Sequence, residues 1–412
     1  MSAAGQPNEF RRGWPVLFAA LLGITLGASP IPFNVIGFLF DPLNKEFGWD
    51  SGQVSLGITI FGITASLLSP VYGWLADRFG VRPVALGSLF AFGLAFAAFA
   101  LTPPSLVGFY AMWLLLGLVG IGSTPVTWSR AINMWFFRQR GLALGIALLG
   151  TSIAALFLPK LTVWAIEVHG WRTMHVIVGA LPLLIALPIG LWLFREPRPE
   201  ERPAGISSAT GKLTGVPLRE ALRDRRFWTL WLSILIIAFA YGGAHIHMPA
   251  IVKDHGFTAC DGATIMGIVG VGILIGRVGT GLLLDRYWGP AVAFPVLCLP
   301  ALSCFLLMGT DTDMTKIMFA GFLLGFAAGA ESDLIAFLAG RYFGMANYGK
   351  IYGMLYMPFG FFSAVSPAVY GRVRVETGSY DPMLIVAMCL FVAGGALLLT
   401  LGKYPERLPE AE

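Results

Sequence analysis

The sequence has few charged residues for its length. Of its 412 residues only 12% are Asp, Glu, Lys or Arg, whereas 56% are hydrophobic. A soluble globular protein carries about 25% charged residues. A water-soluble fold could not bury this much apolar surface, so the composition argues against an ordinary soluble protein and indicates that lipid surrounds most of the chain.

Cysteine and histidine are also scarce, with 4 and 5 residues. The cysteines lie within or at the edge of apolar blocks and have no spacing typical of metal ligands. We therefore expect no structural disulfide, no metal site and no cofactor. The sequence contains no HExxH, GxSxG or phosphate-loop motif either, so we do not expect an enzyme.

The net charge of +5 is spread over short segments between the apolar blocks. A nucleic-acid-binding protein would concentrate its basic residues on one face or interleave them with aromatic residues. Neither pattern is present, so we expect no nucleic-acid partner. Basic segments of this kind are typical of loops at a membrane surface.

Twelve apolar blocks are long enough to cross a bilayer, which takes about 20 residues in a helix. They cover roughly 14–40, 52–76, 83–102, 105–136, 141–166, 172–194, 227–252, 261–284, 290–309, 316–340, 351–373 and 382–402. The loops on the side of the two termini carry 19 Lys and Arg residues and the opposite loops carry 6. The sequence therefore predicts an all-α, multi-pass protein of the cell (inner) membrane, a monomer, with both termini cytoplasmic.

The longest polar stretch, 195–226, is rich in Pro, Gly, Ser and charge, which is typical of a linker. It separates an N-terminal six-helix bundle (1–194) from a C-terminal one (227–412). By the orientation above, the linker is cytoplasmic.

The two halves can be superposed at a single offset of 208 residues. At this offset GWLADRFGVRP (73–83) meets GLLLDRYWGP, and further residues coincide in pairs: Gly48 with Gly256, Gly141 with Gly349, Gly145 with Gly353, Pro159 with Pro367 and Gly170 with Gly378. This pattern indicates a duplicated six-span unit in parallel orientation. Secondary transporters use this architecture, with the substrate site between the halves.

The segment GWLADRFGVRP, between spans two and three, resembles the signature loop of the major facilitator superfamily. The resemblance covers nearly the whole chain and implies transport by rocker-switch alternating access. It also implies a cytoplasmic charge lock formed by Asp77, Arg78 and Arg82, with Asp285 and Arg286 in the second copy. The alternative is that these residues only anchor the loops at the membrane surface.

A narrower resemblance concerns WFFRQRGLALGIALLGTS and the lone Arg277 of span eight, which are similar to the monocarboxylate and oxalate–formate type porters. Three positions depart from those porters. Ile273 replaces an acid one turn before the arginine, Asn34 lies where a lysine is found in the first span, and span eleven has only Lys350, at its start. The substrate therefore cannot be copied from these porters.

Four charged residues lie deep inside predicted spans, away from the span ends: Arg130, Arg277, Glu331 and Asp333. A charge at mid-membrane costs about 2.5–3.5 kcal/mol on insertion scales, so each should face a cavity or a partner. Glu331 and Asp333 differ by about 200° around a helix and cannot both face one pocket. We expect one of them to face the cavity and the other to pair inside its half.

These charges predict proton-coupled transport of a small organic anion. Arg277 would bind the carboxylate of the substrate bidentately and would pair with an acid of span ten when the carrier is empty. A buried carboxylate without a close cation can carry a proton near neutral pH. The alternatives are a static ion pair, an Arg130 that only extends toward the cytoplasm, or an exchanger of dicarboxylates or organophosphates that uses Arg130 and Arg277 as a clamp.

Further candidate substrate contacts are Asn34, Tyr241, His245 and Tyr356. Aromatic residues at helical spacing often form only a packed core, and a lone histidine is often only hydrogen-bonded. The sequence thus predicts a secondary active transporter of small organic monocarboxylate anions, with protons, the anion and the lipid bilayer as its partners.

Overall fold

The structure is a computed structural model that describes residues 9–203, 213–309, 313–405 and 408–409. Residues 204–212 of the predicted linker therefore lie outside the described residues. We number the long helices as follows: α1 Glu9–Thr25, α2 Ser51–Phe79, α3 Val81–Ala97, α4 Leu106–Trp135, α5 140–169, α6 171–193, α7 Arg225–Asp254, α8 Ala259–Arg286, α9 Gly289–Leu306, α10 Met314–Tyr342, α11 Tyr348–Thr377 and α12 Asp381–Leu399.

Each predicted span corresponds to one of these helices. Within the described residues, nine helical segments are long and apolar enough to cross a membrane. One of the nine runs from Arg140 to Leu193 and contains both α5 and α6, which turn into each other at Gly170 (φ 81°, ψ 162°). The predicted first span is interrupted, because α1 is followed by the short helices Ile31–Val35 and Phe40–Phe47. The predicted all-α, twelve-helix fold is confirmed.

The starts of the helices repeat between the halves. The first N–H groups of a helix have no acceptor within it, and polar side chains supply one. At α2, the Asp50 carboxylate accepts from the Gln53 N–H and the Gln53 amide oxygen from the Asp50 N–H. At α8, Thr258 and Asp261 form the same capping box. The two boxes are 208 residues apart, as the duplication predicts.

Both ends of the described chain lie on one side of the helix bundle. Glu9, at the start of α1, accepts hydrogen bonds from the N–H groups of the loop between α4 and α5. Tyr404, beyond α12, accepts a 2.8 Å hydrogen bond from the Gly289 N–H at the start of α9. We call the side of the molecule that holds Glu9 and Tyr404 the terminal side.

The halves meet where α2 crosses α11 and where α5 crosses α8. At the first crossing a β-carbon on Gly73 would overlap the carbonyl oxygen of Gly349, and at the second a β-carbon on Gly281 would lie 2.6 Å from the carbonyl oxygen of Gly141. Glycine is therefore required for this close approach of the backbones. The two crossings are copies of each other, because Gly73 and Gly281, and likewise Gly141 and Gly349, are 208 residues apart.

Thr151 on α5 and Arg277 on α8 form a hydrogen bond between the two halves. In the part of the chain that the structure describes, every other hydrogen bond between the halves lies closer to the terminal side than this one. The halves are thus closed on the terminal side. α10 lies centrally in this arrangement and is the most buried of the nine apolar segments, at 83%. Its two carboxylates therefore do not face lipid.

Candidate substrate-binding site

A cavity of about 420 Å³ lies between the halves, beyond their closed contact. Its walls come from both halves and are mostly small or apolar. The polar and aromatic residues that line it are Ser29, Thr151, Ser152, Tyr241, Arg277, Glu331, Ser332, Tyr356 and Phe359. One cation and one carboxylate in an apolar cavity form a site that can orient a small organic ion.

Arg277 is the cation of the cavity and is only 7% exposed. Its Nη1 donates to Asp333 Oδ1 on α10 at 3.4 Å, and its Nη2 donates to Thr151 Oγ1 on α5 at 3.1 Å. Its Nε makes no hydrogen bond with any described residue. A guanidinium has five N–H donors, so Arg277 keeps unused donors that a carboxylate could accept from.

Glu331 and Asp333 occupy different surroundings, as their angular separation requires. Glu331 lines the cavity, and its Oε1 has no hydrogen-bond partner among the described residues. Asp333 is fully buried, does not line the cavity, and accepts from Arg277 and, at 3.5 Å, from the Ser332 hydroxyl. The structure thus places Glu331 at the cavity and Asp333 against Arg277.

Aromatic rings form one wall of the cavity. Tyr356 packs on Phe359 with ring centroids 5.1 Å apart. Tyr241 stacks on His245 at 5.1 Å, and His245 itself does not line the cavity. His245 is therefore placed behind Tyr241, where it supports the ring rather than reaching the cavity in this conformation. An aromatic wall of this kind suits the hydrocarbon part of a carboxylic acid.

Two residues that we expected at the substrate lie elsewhere in this conformation. Arg130 on α4 does not line the cavity, and its Nε donates to Asp77 Oδ1 at 2.8 Å. Asn34 lies outside the cavity lining as well, and its amide donates to the Pro30 carbonyl at 2.8 Å. Both side chains are held by these partners away from the cavity lining.

Asp77 joins the halves at the terminal side. Its carboxylate accepts from the backbone N–H groups of Gly349 and Lys350, both at 2.9 Å, at the start of α11. This helix start carries a partial positive charge that favours a carboxylate. Together with Arg130, these groups surround an Asp77 side chain that is 5% exposed.

The arginines expected to pair with Asp77 do not contact it. Arg78 lies over the rings of Trp74 and Phe79, at 5.3 and 5.4 Å from the ring centroids. Arg82 donates to the Leu191 carbonyl at 2.7 Å. The expected lock therefore differs in composition, because α4 supplies the cation from inside the bundle while the loop arginines turn outward.

Asp285 forms the corresponding contact in the second copy. Its carboxylate accepts from the N–H groups of Gly141 at 2.7 Å and Leu142 at 3.0 Å, at the start of α5. Arg286 is exposed. Asp77 with Gly349 and Asp285 with Gly141 are the same contact repeated at the 208-residue offset, so the matched glycines were a signal for these pairings in the sequence.

No feature of the sequence pattern indicated that Thr151 would contact a functional residue. Its hydroxyl lies beside Arg277 only because α5 and α8 cross closely at their glycines. Within the described residues, no group of three or more His, Cys, Asp or Glu side chains is placed to hold a metal ion.

Comparison with known proteins gives matches along most of the chain. The sequence profile described as "Major Facilitator Superfamily" matches residues 14–367. "Monocarboxylate transporter 13" of Bos taurus is 26% identical over 98% of this chain and 92% of its own length. The "Gallate transporter" of Pseudomonas putida is 27% identical over 83% of this chain and 84% of its own length. The solved structure of the Escherichia coli fucose:proton symporter superposes with a TM-score of 0.70 and 14% identity, over 96% of this chain and 100% of that chain.

Proposed function

The chain belongs to the major facilitator superfamily, and on this basis we propose that it transports small organic monocarboxylate anions together with protons. Membership makes it a multi-pass membrane transporter rather than an enzyme. Two of the relatives have names that specify carboxylates, a monocarboxylate and gallate. Those names support a carboxylate substrate for the cavity around Arg277.

One observation carries the proposal: the same cavity contains Arg277, which has unused donors, and Glu331, whose Oε1 has no partner among the described residues. A guanidinium is the side chain best suited to bind a carboxylate bidentately. A carboxyl group that is buried without a cationic partner is suited to bind and release a proton. Arg277 is thus proposed to bind the anion, and Glu331 to carry the proton.

The charges of the site explain why binding of the proton would favour binding of the anion. With Glu331 ionised, Arg277, Asp333 and Glu331 sum to one negative charge, which opposes entry of an anion. Protonation of Glu331 makes the empty site neutral, and the bound anion returns it to one negative charge. The empty ionised site and the fully loaded site then carry equal charge, so both can change conformation at a similar electrostatic cost. Asp333 is the fixed counter-ion in this scheme.

We further propose that the terminal side faces the cytoplasm, that the protein lies in the inner membrane as a monomer, and that this conformation faces outward. The basic loops of the terminal side support that orientation. The Asp77 and Asp285 contacts would then close the cytoplasmic gate, and both would have to break for the anion and the proton to be released inside.

Exchange of dicarboxylates or organophosphates is less well supported. A clamp of two arginines would need Arg130 at the cavity. In this conformation Arg130 is paired with Asp77 outside the cavity lining. We therefore do not propose the exchanger as a second function.

The test is proton flux in proteoliposomes that contain a pH-sensitive dye, with the membrane potential clamped. Lactate, pyruvate, benzoate, gallate, oxalate, succinate and glycerol phosphate are added in turn. We expect protein-dependent acidification with one or more of the monocarboxylates. Protein-free liposomes are measured in parallel, because protonated weak acids also cross lipid unaided.

Two variants separate the proposed roles. Arg277→Ala should abolish both anion uptake and acidification, whereas Glu331→Gln should abolish acidification but retain exchange of labelled anion across the membrane. Glu376→Gln, which removes an exposed carboxylate of α11, is the control for loss of a charge. Acidification that persists in Glu331→Gln, or labelled dianion exchange without any proton flux in the unaltered protein, would contradict the proposal.

A further inference from the structure

The hydroxyl of Thr151 is arranged as an acceptor for Arg277. Its hydrogen is directed to the carbonyl oxygen of Leu148, one turn back on α5, at 3.1 Å. Its oxygen accepts from Arg277 Nη2 at 3.1 Å. The hydroxyl hydrogen of Thr151 is thus donated within α5, and its oxygen accepts from the guanidinium of Arg277, which belongs to the other half of the molecule.

This oxygen is bonded to one of the two nitrogens that form a bidentate carboxylate site on Arg277. In a guanidinium, Nε–H and one N–H of Nη2 point in the same direction and together fit the two oxygens of a carboxylate. In Arg277, Nη1 is used by Asp333, Nη2 is used by Thr151, and Nε has no partner among the described residues. The Thr151 hydroxyl is therefore bound to one of the two nitrogens that a carboxylate would use.

The contact also joins the two halves at the cavity itself. Of the hydrogen bonds between the halves in the described ranges, this one alone involves residues that line the cavity. A carboxylate that binds Nε and Nη2 together would compete with the Thr151 hydroxyl for Nη2. Anion binding and separation of α5 from α8 are therefore mutually linked at a single atom.

We propose that Thr151 is a positioning residue that takes the place of the substrate's carboxylate on Arg277 in the empty carrier and is displaced when the anion binds. This rests on the proposed function in so far as Arg277 binds the anion. In the empty carrier the bond holds α5 against α8 and stabilises closure of the terminal side. The incoming carboxylate removes that bond and so favours opening of the same side.

The first test uses the empty protein and needs no substrate. Spin labels are attached at Lys45→Cys and Lys253→Cys, two exposed positions beyond α1 and near the end of α7, opposite the terminal side, after the native cysteines are replaced. Electron–electron resonance then reports the distance distribution between the halves on that side. Thr151→Val keeps the shape of the side chain and removes the acceptor. We expect it to lower the ratio of the open to the closed population on the labelled side by about tenfold.

Two variants control this test. Thr151→Ser keeps the hydroxyl and should keep the distance distribution of the unaltered protein. Thr162→Val makes the same change three turns further along α5, at a buried threonine whose hydroxyl has no partner in the described residues, and should also leave the distribution unchanged. An unchanged distribution in Thr151→Val, or an equal shift in Thr162→Val, overturns the proposal.

The second test measures transport of the monocarboxylate that gives the largest acidification in the proteoliposome assay. Because the anion no longer competes with the hydroxyl, Thr151→Val should lower KM several-fold while kcat does not rise. A purely structural role would lower kcat and leave KM unchanged, and that result counts against the proposal. The empty-carrier test does not depend on which group carries the proton. A shift there combined with unaltered acidification in Glu331→Gln would refute Glu331 as the proton carrier and leave the role of Thr151 standing.

Discussion

The Asp77 and Asp285 contacts are copies of one another, yet they differ in one residue. Each carboxylate accepts from two backbone N–H groups at the start of a helix in the opposite half. Asp77 has in addition the guanidinium of Arg130. At the 208-residue offset the position of Arg130 is occupied by Leu338. The backbone contact is therefore duplicated. The guanidinium that pairs directly with the carboxylate is present in the N-terminal copy and is replaced by Leu338 in the other.

For Arg277 the charged residue is in the C-terminal copy and the uncharged one is in the N-terminal copy. Its counterpart at the offset is Ser69. The backbones agree, because a β-carbon on Gly353 would lie 2.5 Å from the Ser69 carbonyl oxygen and one on Gly145 would lie 2.8 Å from that of Arg277. The N-terminal half thus buries Arg130 near the closed side, and the C-terminal half buries Arg277 at the cavity. The backbone contacts that close the terminal side are the same in both copies. The buried arginines, which differ between the copies, provide the charged groups.

The largest expected effect breaks the shared backbone contact. In Gly73→Ala the new β-carbon would overlap the carbonyl oxygen of Gly349, so α2 and α11 could not approach as closely as they do. Adding a methyl group to a tightly packed contact costs about 1–3 kcal/mol of stability. We expect transport to fall at least tenfold, measured as uptake in proteoliposomes. Gly281→Ala, the copy, should have a smaller effect, because its β-carbon would lie 2.6 Å from the Gly141 carbonyl oxygen.

Gly62→Ala is the matched control for this prediction. It lies on the same helix, α2, and a β-carbon there would have no neighbour within 4 Å. It should leave transport unchanged, since alanine favours a helix over glycine by about 1 kcal/mol. Equal losses in Gly62→Ala and Gly73→Ala would show that the helix, rather than the crossing, is at fault.

The second prediction compares the two carboxylates directly. Asp77→Asn leaves Arg130, which is 4% exposed, without its counter-charge, and breaking a buried pair in this way costs about 3–5 kcal/mol. Asp285→Asn weakens two hydrogen bonds to backbone N–H groups and a longer-range attraction to Arg140, but it breaks no direct ion pair among the described residues. Such a change is worth about 1–3 kcal/mol. Thermal unfolding in detergent should therefore show a clearly larger loss for Asp77→Asn. Equal losses would mean that Arg130 contributes nothing to the contact.

Much of this molecule could be predicted from the sequence, for identifiable reasons. The membrane spans and the internal duplication could be predicted from hydropathy and residue spacing. Both signals are averaged over many residues, so a wrong assignment at a few positions does not change the prediction. The proximity of Arg277 to an acid of α10 follows from similar depth in two helices of the same half. A charge inside a membrane needs a partner, which limits the possible pairs.

The contacts between helices could not be predicted in the same way. Asp77 meets Arg130 rather than Arg78 because α2 and α4 pack with those faces together, and rotation of a helix about its axis leaves no trace in hydropathy. Thr151 reaches Arg277 because glycines let α5 approach α8. Such contacts depend on small differences in the distance between helices, which one sequence does not specify.

The third prediction converts the N-terminal contact into the C-terminal type. Arg130→Leu leaves Asp77 with its two backbone donors, as Asp285 has, so it should destabilise the protein less than Asp77→Asn does. The double variant Asp77→Asn with Arg130→Leu should lose less than the sum of the single losses, with a coupling of about 1–3 kcal/mol. Thermal unfolding of the unaltered protein, the two single variants and the double variant gives the double-mutant cycle that measures this coupling. Additive losses would refute a direct interaction between the two side chains.

The smallest expected effect concerns an exposed ion pair that follows α6 and has no copy after α12. Arg195 donates to both oxygens of Glu201, at 2.5 and 2.8 Å, whereas the corresponding positions are Lys403 and Pro409. The hydrogen bonds from Arg195, followed by that from the Arg198 N–H, lower the pKa of Glu201 to about 2. A lowered pKa means that the stabilising contribution is complete above the ordinary pKa of a glutamate and is lost as the pH falls toward 2.

Glu201→Gln should therefore lower the melting temperature slightly and by the same amount between pH 5 and 7, since an exposed pair contributes at most about 1 kcal/mol. The difference between the variant and the unaltered protein should shrink as the pH is lowered from about 4.5. It should also shrink in 1 M salt, which screens exposed charges. A difference that is largest at low pH would have the wrong sign for an ionised Glu201, and would show that the residue contributes through packing. The segment after α6 would then resemble its counterpart after α12, where Lys403 and Pro409 cannot form an ion pair.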